Sequence, residues 1–395
     1  MTLSGMPLIK GEQGRNDPCL FFHRRLNVSL CTYVDDIASR GQRAHVEEAL
    51  MALRARFKCK EPQWLEVGSC LDHLGMCFFQ TKDGTYLSMQ NYIDSMLIRL
   101  GMADETDTRP VRVPISHAIT DMTPLSKDEA RWFMSACGMI GWLAGTGRID
   151  LKFCHSRISA YMANPCVGAL AAVKQAVRYC AQHKHLCLFQ PFGASESWTH
   201  FSDSDHAGNT EPQAKRRSQL GYVSVVGHAP VAWGSKATSV RFDDPSKGSY
   251  PSHNSRDASA RAPRDPVCNP HLSELHPDMS SGAAEIYAAS IALTEVMHLS
   301  YLIDEMGAKM DLPFVIRVDN TTAIAFSKGN VRRSKLKHID ARQQWVEWLR
   351  NKQLCRLEYV NTHDNLSDLH TKILDVDTFV RLRDRMMTVQ PIPAA

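Results

Sequence analysis

The second half of the chain carries four acidic residues placed where chemistry is possible: Asp203, Glu285, Asp319 and Asp368. Asp203 closes the strand-like run His200-Phe-Ser202, and Glu285 opens a stretch whose Ile286, Ala289, Leu293 and Val296 recur at helical spacing. Asp319 ends the apolar run Phe314-Val-Ile-Arg-Val318, and Asp368 lies in the first turns of a last helix, after a strand ending near Asn361. Each location points a carboxylate toward one end of a sheet. Hard oxygen donors of this kind suit Mg²⁺, which takes carboxylates and waters and keeps positions open for substrate phosphate. Two such ions about 4 Å apart activate an attacking water and stabilise the leaving oxygen of an in-line phosphodiester displacement. The chemistry expected is therefore nucleic-acid hydrolysis with two Mg²⁺ ions, Mn²⁺ being the alternative ion. Taken singly, each acid is better explained as a turn residue, an N-cap or a helix N-terminal charge. The surrounding sequence has to decide.

The elements that must position these acids read as strands at His200–Ser204, Gly221–Val226 and Pro230–Trp233, then a helix at Gly282–Met306. A strand at Phe314–Asp319, helices, a strand at Leu354–Asn361 and a final helix follow. Strands leading into a strand–helix alternation predict a mixed five-stranded sheet flanked by helices, an α/β (α+β) arrangement over residues 200–388. Inside it, 238–278 is rich in Ser, Pro, Asp and Arg without periodicity and is expected to be a disordered insertion. Ahead of it, the polar run Pro-Phe-Gly-Ala-Ser-Glu-Ser-Trp198 marks 191–199 as a linker.

Residues 1–190 mix helix and sheet. Leu26, Val28, Leu30 and Thr32 alternate with polar or small residues up to Tyr33-Val-Asp-Asp36, Ala44–Phe57 has helical spacing, and Gly68–Leu87 is strand-like. Ser126 with Glu129 forms a capping box for a helix that runs to Ala144, and two further helices follow at Ile149–Met162 and Gly168–His183.

At 395 residues the chain has room for two domains with cores of their own. Its 44% apolar and 22% charged residues exclude a fibrous or globally disordered class. The net charge of +4 is too small to name a polyanionic partner by itself. Charge is concentrated at 331–350, where six basic residues face Asp340 and Glu347. Arg332, Arg333, Lys335 and Lys337 are the first candidates for phosphate contact there, with Arg216 and Arg217 second. Twelve cysteines without a C-x-x-C pair and without a leader sequence predict reduced thiols. No uninterrupted apolar run reaches the ~18 residues of a membrane span.

The ordered motifs Ser202-Asp-Ser-Asp-His-Ala-Gly208, Arg216-Arg-Ser-Gln-Leu-Gly-Tyr222, Trp233-Gly-Ser-Lys236, Ser280-Ser-Gly-Ala-Ala-Glu-Ile-Tyr287, Val318-Asp-Asn320, Lys337-His-Ile-Asp340 and Asp364-Asn-Leu-Ser-Asp-Leu-His-Thr-Lys372 resemble those of the ribonuclease H in copia-type LTR retrotransposon Pol polyproteins. The resemblance implies Asp203, Glu285, Asp319 and Asp368 as metal-binding catalytic residues and an RNA–DNA hybrid as substrate, of which the RNA strand is cut. It also implies work in cytoplasmic virus-like particles, for which no targeting signal is visible. The chain departs from the pattern at His206, where the family has Trp, and at Ala283, where it has a first acid. Asp205 is a rival for Asp203.

The first half resembles the end of the reverse transcriptase from the same polyproteins, a partial palm followed by a helical thumb or connection. Tyr33-Val-Asp-Asp36, Asp17-Pro-Cys-Leu-Phe21, His73-Leu-Gly75, Leu87-Ser-Met-Gln-Asn-Tyr92 and Gly147-Arg-Ile-Asp150 stand in the family's order, with Ile149 in place of its Pro. Asp35 and Asp36 match the metal-holding pair of the polymerase hairpin. Two-metal polymerisation also needs an aspartate from an earlier strand, and only Glu12 and Asp17 precede Tyr33, so this segment is expected not to polymerise by itself. The other reading is a decayed or domesticated copy that binds nucleic acid without turnover. The two readings diverge on whether the 238–278 stretch leaves Glu285 beside Asp203 and Asp319.

Overall fold

A computed structural model describes residues 12–103, 109–193, 197–205, 208, 211, 217–238, 277–329, 337–389 and 391, with the backbone alone at 12, 277–280 and 337–340. The first unit is a four-stranded antiparallel sheet of β1 (Glu12–Gln13), β2 (Leu20–His23), β3 (Val28–Tyr33) and β4 (Asp36–Arg40), followed by α1 (Arg43–Arg54). Leu26, Val28 and Leu30 meet Val46, Ala49 and Leu53 of α1 in a small core, because the period of two and the helical period each put one apolar face inward.

A second sheet contains β5 (Cys70–His73), β6 (Met76–Gln80) and β7 (Gly84–Ser88), and α2 (Gln90–Arg99) follows it. The helices α3 (Lys127–Thr146), α4 (Lys152–Ser159) and α5 (Val167–Gln182) come next, and β8 (Leu186–Pro191) returns to pair with β7. The Ser126 hydroxyl accepts from the Glu129 backbone N–H while the Glu129 carboxylate accepts from Ser126, the reciprocal box that starts α3.

The third sheet has the order β11-β10-β9-β12-β13, built from β9 (Trp198–Asp205), β10 (Gln219–Val226) and β11 (Ala229–Ala237), then β12 (Phe314–Val318) and β13 (Cys355–Tyr359). The first three are antiparallel, whereas β12 runs parallel to both β9 and β13, which makes the sheet mixed and five-stranded. α6 (Pro277–Glu305) lies on β9 and β10, with α7 (Thr321–Ser327) and α8 (Lys337–Asn351) against it. The chain ends with α9 (Val376–Asp384) and β14 (Thr388–Val389). The expectation of a mixed α/β fold holds.

Several expected bounds move. α6 begins at Pro277, so Glu285 sits two turns inside the helix. β9 continues to Asp205, so Asp203 is an interior strand residue paired with Gly221. Asp368 belongs to a 3-10 turn, Leu366–His370, ahead of α9. By length and composition the 25-residue helical stretch Ser281–Glu305 is apolar enough to cross a membrane, its most apolar 18 residues having a mean hydropathy of 1.4. Scattered Ser, Thr and His interrupt its apolar runs and hide it from a search for uninterrupted stretches. It buries Ile286, Ala289, Ala292, Leu293 and Val296 in the core beneath the sheet. The expected insertion lies outside the described residues at 239–276.

The stretch 191–199 begins on the last residue of β8 and ends on the first residues of β9. One apolar cluster crosses it: Phe201, Val223, Leu366, Leu369, Phe379 and Leu382 share a core with the buried faces of α2, α3 and α5. β14 also pairs with β8, which returns the end of the chain to the sheet of the first half.

Candidate metal centre

Strand register brings the first two acids together. Ile316 stands opposite His200 in the parallel pairing of β12 with β9, and three residues further along lie Asp203, within β9, and Asp319, one residue past the end of β12. Glu285 arrives from α6, which crosses the same face. Carboxylate oxygens of Asp203, Glu285 and Asp319 all lie within 4.8 Å of one another. This convergence occurs with the 238–278 stretch in the chain, so that stretch does not carry Glu285 away. Asp203 and Glu285 are buried and Asp319 is half-buried.

One oxygen of Glu285 is fixed by the Ser204 backbone N–H and hydroxyl, each donating at 3.2 Å. Its other oxygen, Oε2, is buried without a hydrogen-bond partner. A buried acceptor left unmatched is costly, and this one belongs to a three-carboxylate group of hard oxygen donors. The residues fit a divalent cation such as Mg²⁺.

Asp368 lies at the edge of this trio, linked to it by a side chain that the sequence reading left without a role. Lys372 Nζ donates to Asp368 Oδ1 at 2.9 Å and to Asp203 at 3.3 Å. The Thr371 hydroxyl donates to Asp203 Oδ2. The turn carrying these groups reaches Asp203 because β10 has glycine opposite it: a Cβ on Gly221 would stand 2.7 Å from Thr371 Cγ2 and 2.8 Å from His370 Cβ. Gly221→Ala is expected to displace the 365–372 turn and to lower metal-dependent activity by roughly tenfold or more, as loss of supporting contacts around a metal site does. A parent-like rate for that variant would show that the turn's position is immaterial.

The site's electrostatics are those of like charges held together. Burial raises the Glu285 carboxyl well above its ordinary value, and Asp203 and Asp319 raise it further. Burial and then Asp203 also raise Asp319. Asp368 is pushed up to about 7 by burial and by Asp203, with Lys372 working the other way. The Lys372 ammonium, although partly desolvated, is held charged by Asp203 and Asp368.

These shifts set a pH dependence. Between the ordinary carboxyl value of about 4 and the folded value, the folded state binds more protons than the unfolded one. Asp368 therefore contributes stability that is complete below that ordinary value and lost as pH rises through about 7. A divalent ion binds the ionised carboxylates, so Mg²⁺ is expected to raise the melting temperature several-fold more at pH 8 than at pH 5. Thermal melts with and without Mg²⁺ at the two pH values check this, and equal shifts would contradict it.

The remaining expected residues lie elsewhere. Asp205 ends β9 two residues beyond Asp203, is half-buried, and is raised first by burial and then by Asp203. It is not one of the three converging carboxylates. Asp35 and Asp36 occupy the exposed β3–β4 hairpin, where Tyr33 pairs with Asp36 and Val34 takes φ +53°. They belong to no three-ligand group among the described residues. Arg332, Arg333, Lys335 and Arg216 lie outside the described residues, and Lys337 opens α8 with its backbone alone described.

No family model matches the chain. It is 26% identical to the retrovirus-related Pol polyprotein from transposon RE2 of Arabidopsis thaliana over 93% of its own length and 22% of the relative's. It is 23% identical to the corresponding polyprotein from transposon TNT 1-94 of Nicotiana tabacum, over 92% of this chain and 25% of the other. The chain thus spans about a quarter of the length of these curated relatives. The expected kinship with Pol polyproteins of copia-type transposons is borne out along nearly the whole chain. Among solved structures, LC11-RNase H1 in complex with an RNA/DNA hybrid aligns with 44% of this chain and 94% of its own at 11% identity, with a TM-score of 0.26.

Proposed function

We propose that the chain is a retrotransposon-derived ribonuclease H that cleaves the RNA strand of RNA–DNA hybrids, with Asp203, Glu285, Asp319 and Asp368 as its catalytic carboxylates. The observation that carries the reading is the meeting of Asp203, Glu285 and Asp319 within 4.8 Å at one place on the mixed sheet. Kinship with retrovirus-related Pol polyproteins along nearly the whole chain supports it.

In this reading Asp203, Glu285 and Asp319 would hold one divalent ion, and Asp203 with Asp368 would hold a second. Divalent ions bound there supply Lewis acidity, for activating a water and for stabilising the leaving oxygen of the phosphodiester. The chain's own task is preorganisation. β9 and β12 fix two carboxylates through backbone register, and Ser204 fixes the rotamer of Glu285 by holding one of its oxygens. Asn365 donates to the Ser202 carbonyl at 3.3 Å and so ties the Asp368 turn to the strand of Asp203. The burial of Glu285 keeps bulk water from competing for its free oxygen. Basic side chains between 332 and 337 are assigned to the phosphates of the hybrid.

The Asp35–Asp36 hairpin is assigned to a polymerase segment that does not polymerise on its own. The test is a substrate panel: one sequence presented as RNA–DNA hybrid, RNA duplex, DNA duplex and primed template, each with Mg²⁺. Cleavage of the RNA in the hybrid and no primer extension are expected. Equal cutting of the DNA duplex would overturn the substrate assignment, and extension would overturn the polymerase assignment.

A further inference from the structure

The two sides of the carboxylate cluster differ in what already satisfies them. On the Glu285 side, Oε2 is buried and has no partner. On the Asp368 side, Lys372 Nζ stands 2.9 Å from Asp368 Oδ1 and 3.3 Å from both Asp203 oxygens, and Thr371 donates to Asp203 Oδ2 as well. A positive group is thus already seated between the two carboxylates to which the proposed function gives the second ion. It is tethered only through its own flexible stem, and the Lys372 side chain keeps 31% of its surface exposed against 2% for Asp203 and 6% for Asp368. The stem can therefore swing outward without unpacking the site.

We propose that Lys372 is a built-in cation that occupies the Asp203–Asp368 position and must be displaced before a second divalent ion can bind. The proposal rests on the site reading above. A tethered ammonium competes at a high effective concentration, and it neutralises one unit of the charge that would attract the incoming ion. The first ion shares only Asp203 with this ammonium, whose hydrogen bonds go to Asp203 and Asp368, and it keeps Glu285 and Asp319 as further ligands, so it meets weaker competition. The free protein consequently holds one divalent ion well and a second one poorly. Lys372 acts through the carboxylates and is a positioning residue. It makes the second site depend on additional ligands, the phosphate oxygens of a bound nucleic acid being the chemistry that would supply them.

Titration of the full chain with Mn²⁺, followed by the electron paramagnetic resonance signal of the free ion, tests this directly. The parent is expected to bind one Mn²⁺ tightly and a second at least roughly tenfold more weakly. Lys372→Met should tighten the second ion by about 10–100-fold, the range by which groups around a metal site tune its affinity, while the first changes little. Lys372→Arg should restore the parent pattern, since it restores the charge. Lys372→Gln gives the same readout if the Met variant does not fold, which circular dichroism decides.

Two equally tight ions in the parent, or an unaltered second ion in the neutral variants, would overturn the role of Lys372. Failure of the site reading looks different: the parent would bind no first ion, or Asp319→Asn would leave the first ion unaffected.

Discussion

Asp319→Asn is expected to lower Mg²⁺-dependent cleavage of a hybrid by about 10³-fold or more while leaving the fold intact. The side chain loses a charge and keeps its shape, and Asp319 is half-buried at the end of β12, where Val318 and Ile316 carry the apolar contacts. Replacing one of three converging carboxylates removes both a ligand and part of the field that holds the ion. Lewis-acid stabilisation by a bound metal is worth several kcal/mol, and each 1.36 kcal/mol is about tenfold in rate. Stability should rise or stay level in the ion-free protein, because Asp319 is raised by burial and by Asp203 and its removal relieves that repulsion. Single-turnover cleavage and a thermal melt on the same preparation check both halves. A variant with parent-like turnover would remove Asp319 from the site, and one that fails to fold would refute the strain argument.

Asp150→Ala is expected to cost about 3–5 kcal/mol of stability, the penalty for stranding one partner of a buried ion pair. Arg148 and Asp150 are both fully buried, joined by two hydrogen bonds of 3.0 and 2.7 Å. The Tyr179 hydroxyl donates to Asp150 at 2.8 Å, and Arg383 of α9 donates to the same hydroxyl at 3.3 Å. Burial works against the charged form of Asp150, and the Arg148 guanidinium overcomes it and holds the carboxyl below its ordinary range. Without Asp150 the Arg148 charge would remain in the core, with Nη1 already lacking a partner. Such a loss is a large share of the 5–15 kcal/mol typical of a folded domain. The double variant Arg148→Met with Asp150→Leu should recover much of it, since apolar replacement of a buried pair is often neutral or better. Denaturant unfolding measures both, and a loss below about 1 kcal/mol for Asp150→Ala would contradict a buried-pair cost of the usual size.

That pair also shows what could and could not be read in advance. Gly147-Arg-Ile-Asp150 was legible as a motif in the right order, but its role was not, because the partners Tyr179 and Arg383 lie far away in sequence. The strands of the third sheet were legible from alternation, and the capping box at Ser126 from spacing alone. Asp203, Glu285 and Asp319 could be named because the motifs around them resemble those of a known family, although two of the three sit further inside their elements than expected. Local periodicity does not record how far a strand or helix extends once tertiary contacts support it.

Other features depended on contacts that no local pattern announces. β14 is two residues long and pairs with a strand some two hundred positions earlier. Lys372 stands four residues after Asp368, a spacing at which side chains in a helical turn meet. That offset was the available signal for its place in the site. The exposed Asp35–Asp36 hairpin was recognisable by its motif, and among the described residues the pair belongs to no group of three metal-ligating side chains.

The proposed nuclease activity places metal-dependent hydrolysis of RNA at one cluster of carboxylates, set by the register of β9 and β12. Its most direct measurement is cleavage of an end-labelled RNA–DNA hybrid by the purified full chain across a Mg²⁺ titration, with the Asp203→Asn variant run in parallel. Mg²⁺-dependent cuts confined to the RNA strand are expected from the parent and none from the variant. No cleavage by the parent at any Mg²⁺ concentration, or the same cuts by both proteins, would contradict it.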